Sequence, residues 1–205
     1  ITDTLVGYFV GKPISYNGND PDILNELQMI FEYNDEADEN AELAKNASIY
    51  GIAYELLYMS DNAVRFKSLD PKECIPIFDD TLDNNLLAFI RYYDNYDVIQ
   101  DKTITIIEVI TDKETFRYQT TSTLGSLTLI ESYPHYFGMV PIAIYKNNEE
   151  ESGDFEQVIS LIDAYDQMEA DSLNDFEYFV DAYLCLTGLT ADAEDVKSMK
   201  ENRVL

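Results

Sequence analysis

Basic side chains are scarce in this sequence: thirteen Lys plus Arg stand against forty Asp plus Glu, for a net charge of −27 and a pI near 4.1. A nucleic-acid binder needs a basic patch to displace counterions from phosphate, so that class is excluded, as is docking on an anionic membrane face. Only two cysteines occur, Cys74 and Cys185, in neither a CxxC nor a zinc-type spacing, which excludes a disulfide scaffold. No apolar run approaches the ~20 residues that span a bilayer. The strongest short run, Ile104 to Ile110, is interrupted by Thr105 and Glu108. No signal-peptide pattern opens the chain, which starts at Ile1 without an initiator Met and ends on the apolar Val204-Leu205. It reads as an excerpt of a longer intracellular protein, cut at both ends. What is present is an ordinary globular balance, 46% hydrophobic and 26% charged over 205 residues, enough for one large domain or two small ones.

The hydrophobic period divides the chain into three stretches. Up to Met59 it is mostly helical. Asp20-Pro21 predicts a capped helix start, and Ile23, Leu24, Leu27, Ile30 and Phe31 recur at three-to-four spacing. Asn34 to Asn40 reads as an acidic turn, and Ala41 to Tyr50 as a second helix ended by Gly51. From Ile52 to Lys146 the period is two. A hairpin is predicted around Ser60-Asp61-Asn62-Ala63, with further strands at 75–78, 86–93, 103–111, 115–119, 127–131 and 140–145. From Asn147 the period returns to 3.6. A helix over Asp154 to Leu186, roughly 50 Å long if unbroken, places Phe155, Val158, Ile162, Tyr165, Met168, Phe176, Phe179, Val180 and Tyr183 on one side. Glu156, Asp163, Asp166, Asp171, Asp175, Glu177 and Asp181 fall mainly on the other. Between Glu149 and Asp195 there are fifteen acids and no base.

Catalytic motifs fail on physical grounds. Gly7 to Pro13 resembles a phosphate loop on the surface, but it is one residue short, and Pro13 offers neither a hydroxyl for Mg²⁺ nor an N–H. The lone His135 has no GxSxG or comparable nucleophile motif beside it and reads as a packed, hydrogen-bonded side chain in an aromatic loop. Asp79-Asp80-Asp83, Asp163-Asp166 and Asp171-Asp175 have spacings that could share a cation, but with forty acids such spacings arise by chance. No metal, cofactor or catalytic residue is assigned. The acidic helix face is the main functional feature. Besides solubility, it suits a surface that lets DNA slide past without capture, or a DNA mimic that occupies a partner's basic cleft; composition does not separate these.

Several segments resemble the portal proteins of tailed bacteriophages, in the branch found in siphoviruses and prophages of Gram-positive hosts. They are Val6 to Ile14 (GY-x-x-GKPI), Ser48 to Leu56 (SIYGxAYE), Pro134 to Ile142 (PHxFGxVPI), and Gly153-Asp154-Phe155-Glu156 with Leu161 to Tyr165 and Asn174 to Glu177. They keep their order over Ile1 to Leu186. The resemblance implies an α+β fold with a wing over 1–148, made of helices and a mixed β-sheet. It implies a long acidic stem helix over 149–188 and the start of a clip over 189–205, with the second stem helix and crown missing. It implies a non-enzymatic subunit of a ring, usually dodecameric, at one vertex of the capsid in the virion, assembled in the host cytoplasm. DNA would pass through that ring during packaging and ejection without sequence-specific binding. Terminase, head-completion and adaptor proteins and the capsid protein are the implied partners. Asp163, Asp166, Asp171, Asp175 and Asp181 would then lie on or near the stem's exposed surfaces and contribute to a DNA-repelling field. The competing expectation is an acidic binding module or DNA mimic engaging a basic DNA-handling protein.

Overall fold

The computed structural model describes residues 2–99, 101–120, 126–180 and 192–201. The chain divides after Asp154 into a β-rich unit and a helical unit.

The β-rich unit opens with α1 (Thr2–Phe9), α2 (Pro21–Asn34) and α3 (Glu36–Tyr50). Asp20 caps α2 as expected, its carboxylate accepting from the Asp22 and Ile23 amides at 3.0 and 3.3 Å. The acidic turn expected over Asn34 to Asn40 shrinks to one residue, Asp35, in the left-handed conformation. Glu36, Asp38 and Glu39 instead form the first turn of α3, where carboxylates favour the positive end of the helix dipole. Gly51, at φ 79°, ends α3.

Among the described residues eight strands follow: β1 (Ile52–Ser60), β2 (Ala63–Leu69), β3 (Cys74–Phe78), β4 (Leu86–Asp97), β5 (Lys102–Ile110), β6 (Glu114–Thr120), β7 (Thr128–Pro134) and β8 (Ile142–Lys146). They form a three-stranded sheet ordered β2-β1-β8 and a five-stranded sheet ordered β3-β4-β5-β6-β7. All pairings are antiparallel, which corrects the expected mixed sheet. For all the pairs but β1–β8 the reason lies in the connections: the paired strands follow one another through short links, whereas a parallel pair needs a long crossover. The first of these turns has Asp61 and Asn62 at φ 51° and 63°, the positive angles that a tight two-residue hairpin requires.

The core lies between the two sheets. Tyr54, Leu69, Cys74, Phe89, Ile110 and Val140 pack there, with the Tyr54 and Phe89 rings 5.2 Å apart edge to face. Ala53 and Tyr54 are both buried although successive strand residues point to opposite faces, so β1 is covered on both sides. Helix α3 packs on the side away from Phe89, making three layers.

Those helices also close the outer edge of β2. The Asn34 side chain donates to the Val64 carbonyl at 3.0 Å and accepts from the Phe66 amide at 3.2 Å. Glu39 accepts from the Ser68 amide at 2.8 Å, and Asn46 donates to the Leu69 carbonyl at 3.3 Å. Side chains thereby satisfy an edge that would otherwise invite pairing with another chain.

In the helical unit, a short 3-10 turn at Glu156–Val158 precedes α4 (Ile159–Val180), and α5 (Ala193–Glu201) follows. Regular helix therefore starts five residues later than expected, because Asp154 is engaged within the β-rich unit. The expected continuation over 181–186 and its stop at Gly188 lie outside the described residues, as does the clip start at Arg203 to Leu205. Helix α5 was not foreseen. Its signal is Asp192, whose carboxylate accepts from the Glu194 and Asp195 amides at 2.9 Å while Asp195 accepts from the Asp192 amide. Among the described residues no helix is long and apolar enough to cross a membrane.

Candidate functional site

Helix α4 carries the acidic face. Asp163 and Asp166 are three residues apart and Asp171 and Asp175 four, so each pair shares a side of the helix. At 100° per residue the two pairs are offset by roughly a third of a turn, and together they cover a broad arc. All four side chains are exposed. Among the described residues no Lys or Arg comes within ion-pair distance of them. Asp181 lies outside the described residues.

The rest of α4 is equally open, Asp175 projecting beside Met168 at the border of the two faces. Leu161, Tyr165, Met168 and Phe176 are 59–70% exposed, although they form the apolar stripe that an amphipathic helix normally buries. In folded proteins most helical stability comes from covering such a stripe. Two faces with opposite requirements thus coexist on one element: an apolar one that calls for packing and an anionic one that resists close approach of phosphate.

The remaining candidates are accounted for by local structure. The Asp79 carboxylate accepts from the Thr81 hydroxyl at 2.8 Å and from the Asn85 amide and side chain at 2.9 Å, which holds its pKa below the usual carboxylate range. It organises the β3–β4 turn. Gly7 lies inside α1, so the glycine–lysine segment makes no phosphate cradle. His135 Nε2 lies 2.8 Å from the Thr111 carbonyl, which can only accept, so this nitrogen carries the proton. Its ring stands 5.8 Å from that of Phe137, the packed arrangement expected of it. Burial pushes the Cys74 thiol up to about 12, far from the thiolate that chemistry would need. Among the described residues no group of three or more His, Cys, Asp or Glu is placed to hold a metal ion.

Three polar constellations escaped sequence reading because they depend on register or long-range folding. Arg91, Glu108, Arg117 and Glu131 are successive cross-strand partners over β4 to β7, forming a row of alternating charge. Glu108 lies 3.4 Å from Arg91 and 3.7 Å from Arg117, and Arg117 lies 3.0 Å from Glu131. On the helix-facing side of β1, burial pushes the Glu55 carboxyl up, the Tyr145 hydroxyl at 2.9 Å opposes this, and the charges of Glu39 and Glu36 add to the rise. At the end of the β-rich unit, hydrogen bonds from Asn147 and Ser48 hold the Asp154 carboxyl below its ordinary range.

Comparison with known proteins bears on what such an arrangement serves. The family described as phage portal protein, SPP1 Gp6-like, matches residues 1–205. The portal protein of Bacillus phage SPP1 is 28% identical over 196 residues, covering 87% of this chain and 38% of that protein. The portal protein of Clostridium phage phiCD119 is 25% identical over 192 residues, covering 86% of this chain and 43% of that protein. The chain thus spans about two fifths of the length of these curated relatives.

Proposed function

The chain belongs to the SPP1 Gp6-like family of phage portal proteins, and we propose that it supplies the wing and the first stem helix of a subunit in the portal ring of a virion. The family match over residues 1–205 carries this reading. In it, the β-rich unit is the wing, α4 belongs to the stem, and the clip follows toward the carboxyl-terminal end. The role is structural: a ring, dodecameric by the family resemblance, forms the channel through which DNA enters and leaves the capsid. Terminase docks on it during packaging, and head-completion and adaptor proteins dock afterwards.

The physical chemistry of α4 supports the assignment. In a ring, the stripe of Leu161, Tyr165, Met168 and Phe176 is covered by neighbouring subunits, which supplies the packing that this helix lacks alone. Asp163, Asp166, Asp171 and Asp175 then remain as a carboxylate surface near the channel. These carboxylates offer DNA no cation that could displace the counterions condensed on its phosphates, so the duplex is not retained. The reading is tested by the mass in solution, by light scattering, of the portal polypeptide that bears this chain. A closed ring is the expected result. A strict monomer at all salt and protein concentrations would favour the acidic binding module instead.

A further inference from the structure

Two of the segments that carry the family resemblance meet in space. Ser48 and Asp154 are 106 residues apart in sequence. They meet at the carboxyl-terminal turn of α3, where the last carbonyls of a helix have no donor within the helix itself. The Gly51 amide serves the Ala47 carbonyl at 2.8 Å, and the Asp154 amide, arriving from the far end of the unit, serves the Ser48 carbonyl at 2.9 Å. The Asn147 amide donates to the Gly51 carbonyl at 2.9 Å. Side chains double these backbone bonds. The buried Ser48 hydroxyl donates to one Asp154 carboxylate oxygen at 2.7 Å, and the Asn147 side chain donates to the other at 2.8 Å.

The approach is closer than a side chain permits on either strand of the contact. A Cβ on Gly153 would stand 2.4 Å from the Ile49 carbonyl oxygen, and one on Gly51 would stand 1.9 Å from that of Glu151. The intervening loop is closed on itself, Asn148 exchanging three hydrogen bonds with Ser152. Residue 154 is therefore fixed from both its amide and its carboxylate, at the point where the β-rich unit ends.

We propose that Ser48, Asn147 and Asp154 form a clasp that fixes the end of the β-rich unit on α3, and that a portal subunit needs this clasp closed to enter a ring; the second half rests on the portal reading. A ring of identical head-to-tail contacts closes only when every subunit presents the same geometry, so looseness in one residue recurs at each copy. Asp154 is a positioning residue here: it acts through the backbone it holds.

The test uses the portal polypeptide bearing this chain, with Ser48→Ala, Asp154→Ala and Asp154→Asn. These change side chains only and leave both glycines in place, so the β-rich unit stays folded. Hydrogen exchange at the Asp154 and Asn147 amides is expected to rise about tenfold in the two alanine variants, with β4 and β5 unchanged. Asn at 154 keeps an acceptor oxygen and should restore most of the protection. Closed rings, counted by electron microscopy, should fall about fivefold in Asp154→Ala and recover in Asp154→Asn. Unchanged exchange in both alanine variants overturns the clasp. Faster exchange with wild-type ring yield overturns its role in assembly. Absence of rings from the unsubstituted polypeptide overturns the portal reading and the assembly half with it, while the exchange data still decide the clasp.

Discussion

Glu55 sits on the helix-facing side of β1, where among the described residues the Tyr145 hydroxyl is its hydrogen-bond partner and the charges of Glu39 and Glu36 act on it. Because burial raises its pKa in the folded state, the folded protein binds more protons than the unfolded chain as the pH climbs from 4.5 toward the raised value. Stability contributed by this group is therefore lost as pH rises through that window. Glu55→Gln keeps an acceptor for Tyr145 and removes the charge, so thermal melts should show a higher Tm than wild type at pH 7. The gap should close near pH 4; equal melts at both pH values would refute the assignment. Glu39 is the opposite case. It is 4% exposed but pairs with Lys67 and receives the Ser68 amide. Glu39→Ala leaves that amide without a partner at a sheet edge, with an expected loss of about 2 kcal/mol by urea denaturation. Lys67 is 60% exposed and rehydrates, so little of this loss comes from the ion pair.

At the scale of elements, the difference between β1 and α4 is instructive. Strand β1 is covered on both faces around Ala53 and Tyr54, so its apolar residues there outrun the strict alternation that a period of two predicts. Helix α4 alternates well but has neither face covered. In the proposed role its carboxylates act by what they refuse, so the informative substitution reverses them. Changing Asp163, Asp166, Asp171 and Asp175 to lysine together should create duplex-DNA binding that the wild type lacks. The affinity should fall steeply with salt, with a log–log slope of about −0.9 for each phosphate neutralised. Failure of the variant to bind duplex DNA at low salt would remove α4 from any DNA-facing role. The row Arg91–Glu108–Arg117–Glu131 shows a property that belongs to the sheet alone: each charge is satisfied by the neighbouring strand, and only the antiparallel register brings the four into line.

For the whole molecule, charge opposes assembly. In the proposed ring a net −27 on each chain must be brought together, and the screening length is ~10 Å at 0.1 M salt. Ring formation should therefore be weak at very low ionic strength and rise at moderate salt or with a few millimolar Mg²⁺. Light scattering across a salt series checks this, and rings that dissociate steadily as salt rises would mean that ion pairs hold the subunits instead.

Much of this was legible from residue order, because period, capping and turn chemistry are local. The Asp20-Pro21 start, the Gly51 stop, the Asp61-Asn62 hairpin and all eight strands follow from neighbours within a few positions. The acidic run at 34–40 is ambiguous in sequence because Asp and Glu suit both a turn and the first turn of a helix, and only the αL backbone of Asp35 separates the two. The sequence alone determined the family resemblance, the anionic character and the alternation of α4. Tertiary structure alone decided that the described sheets are antiparallel, that Glu55 is half-buried beside other carboxylates, and that Ser48 meets Asp154. These depend on contacts between residues far apart in the chain, and such contacts leave no mark in the spacing of either partner.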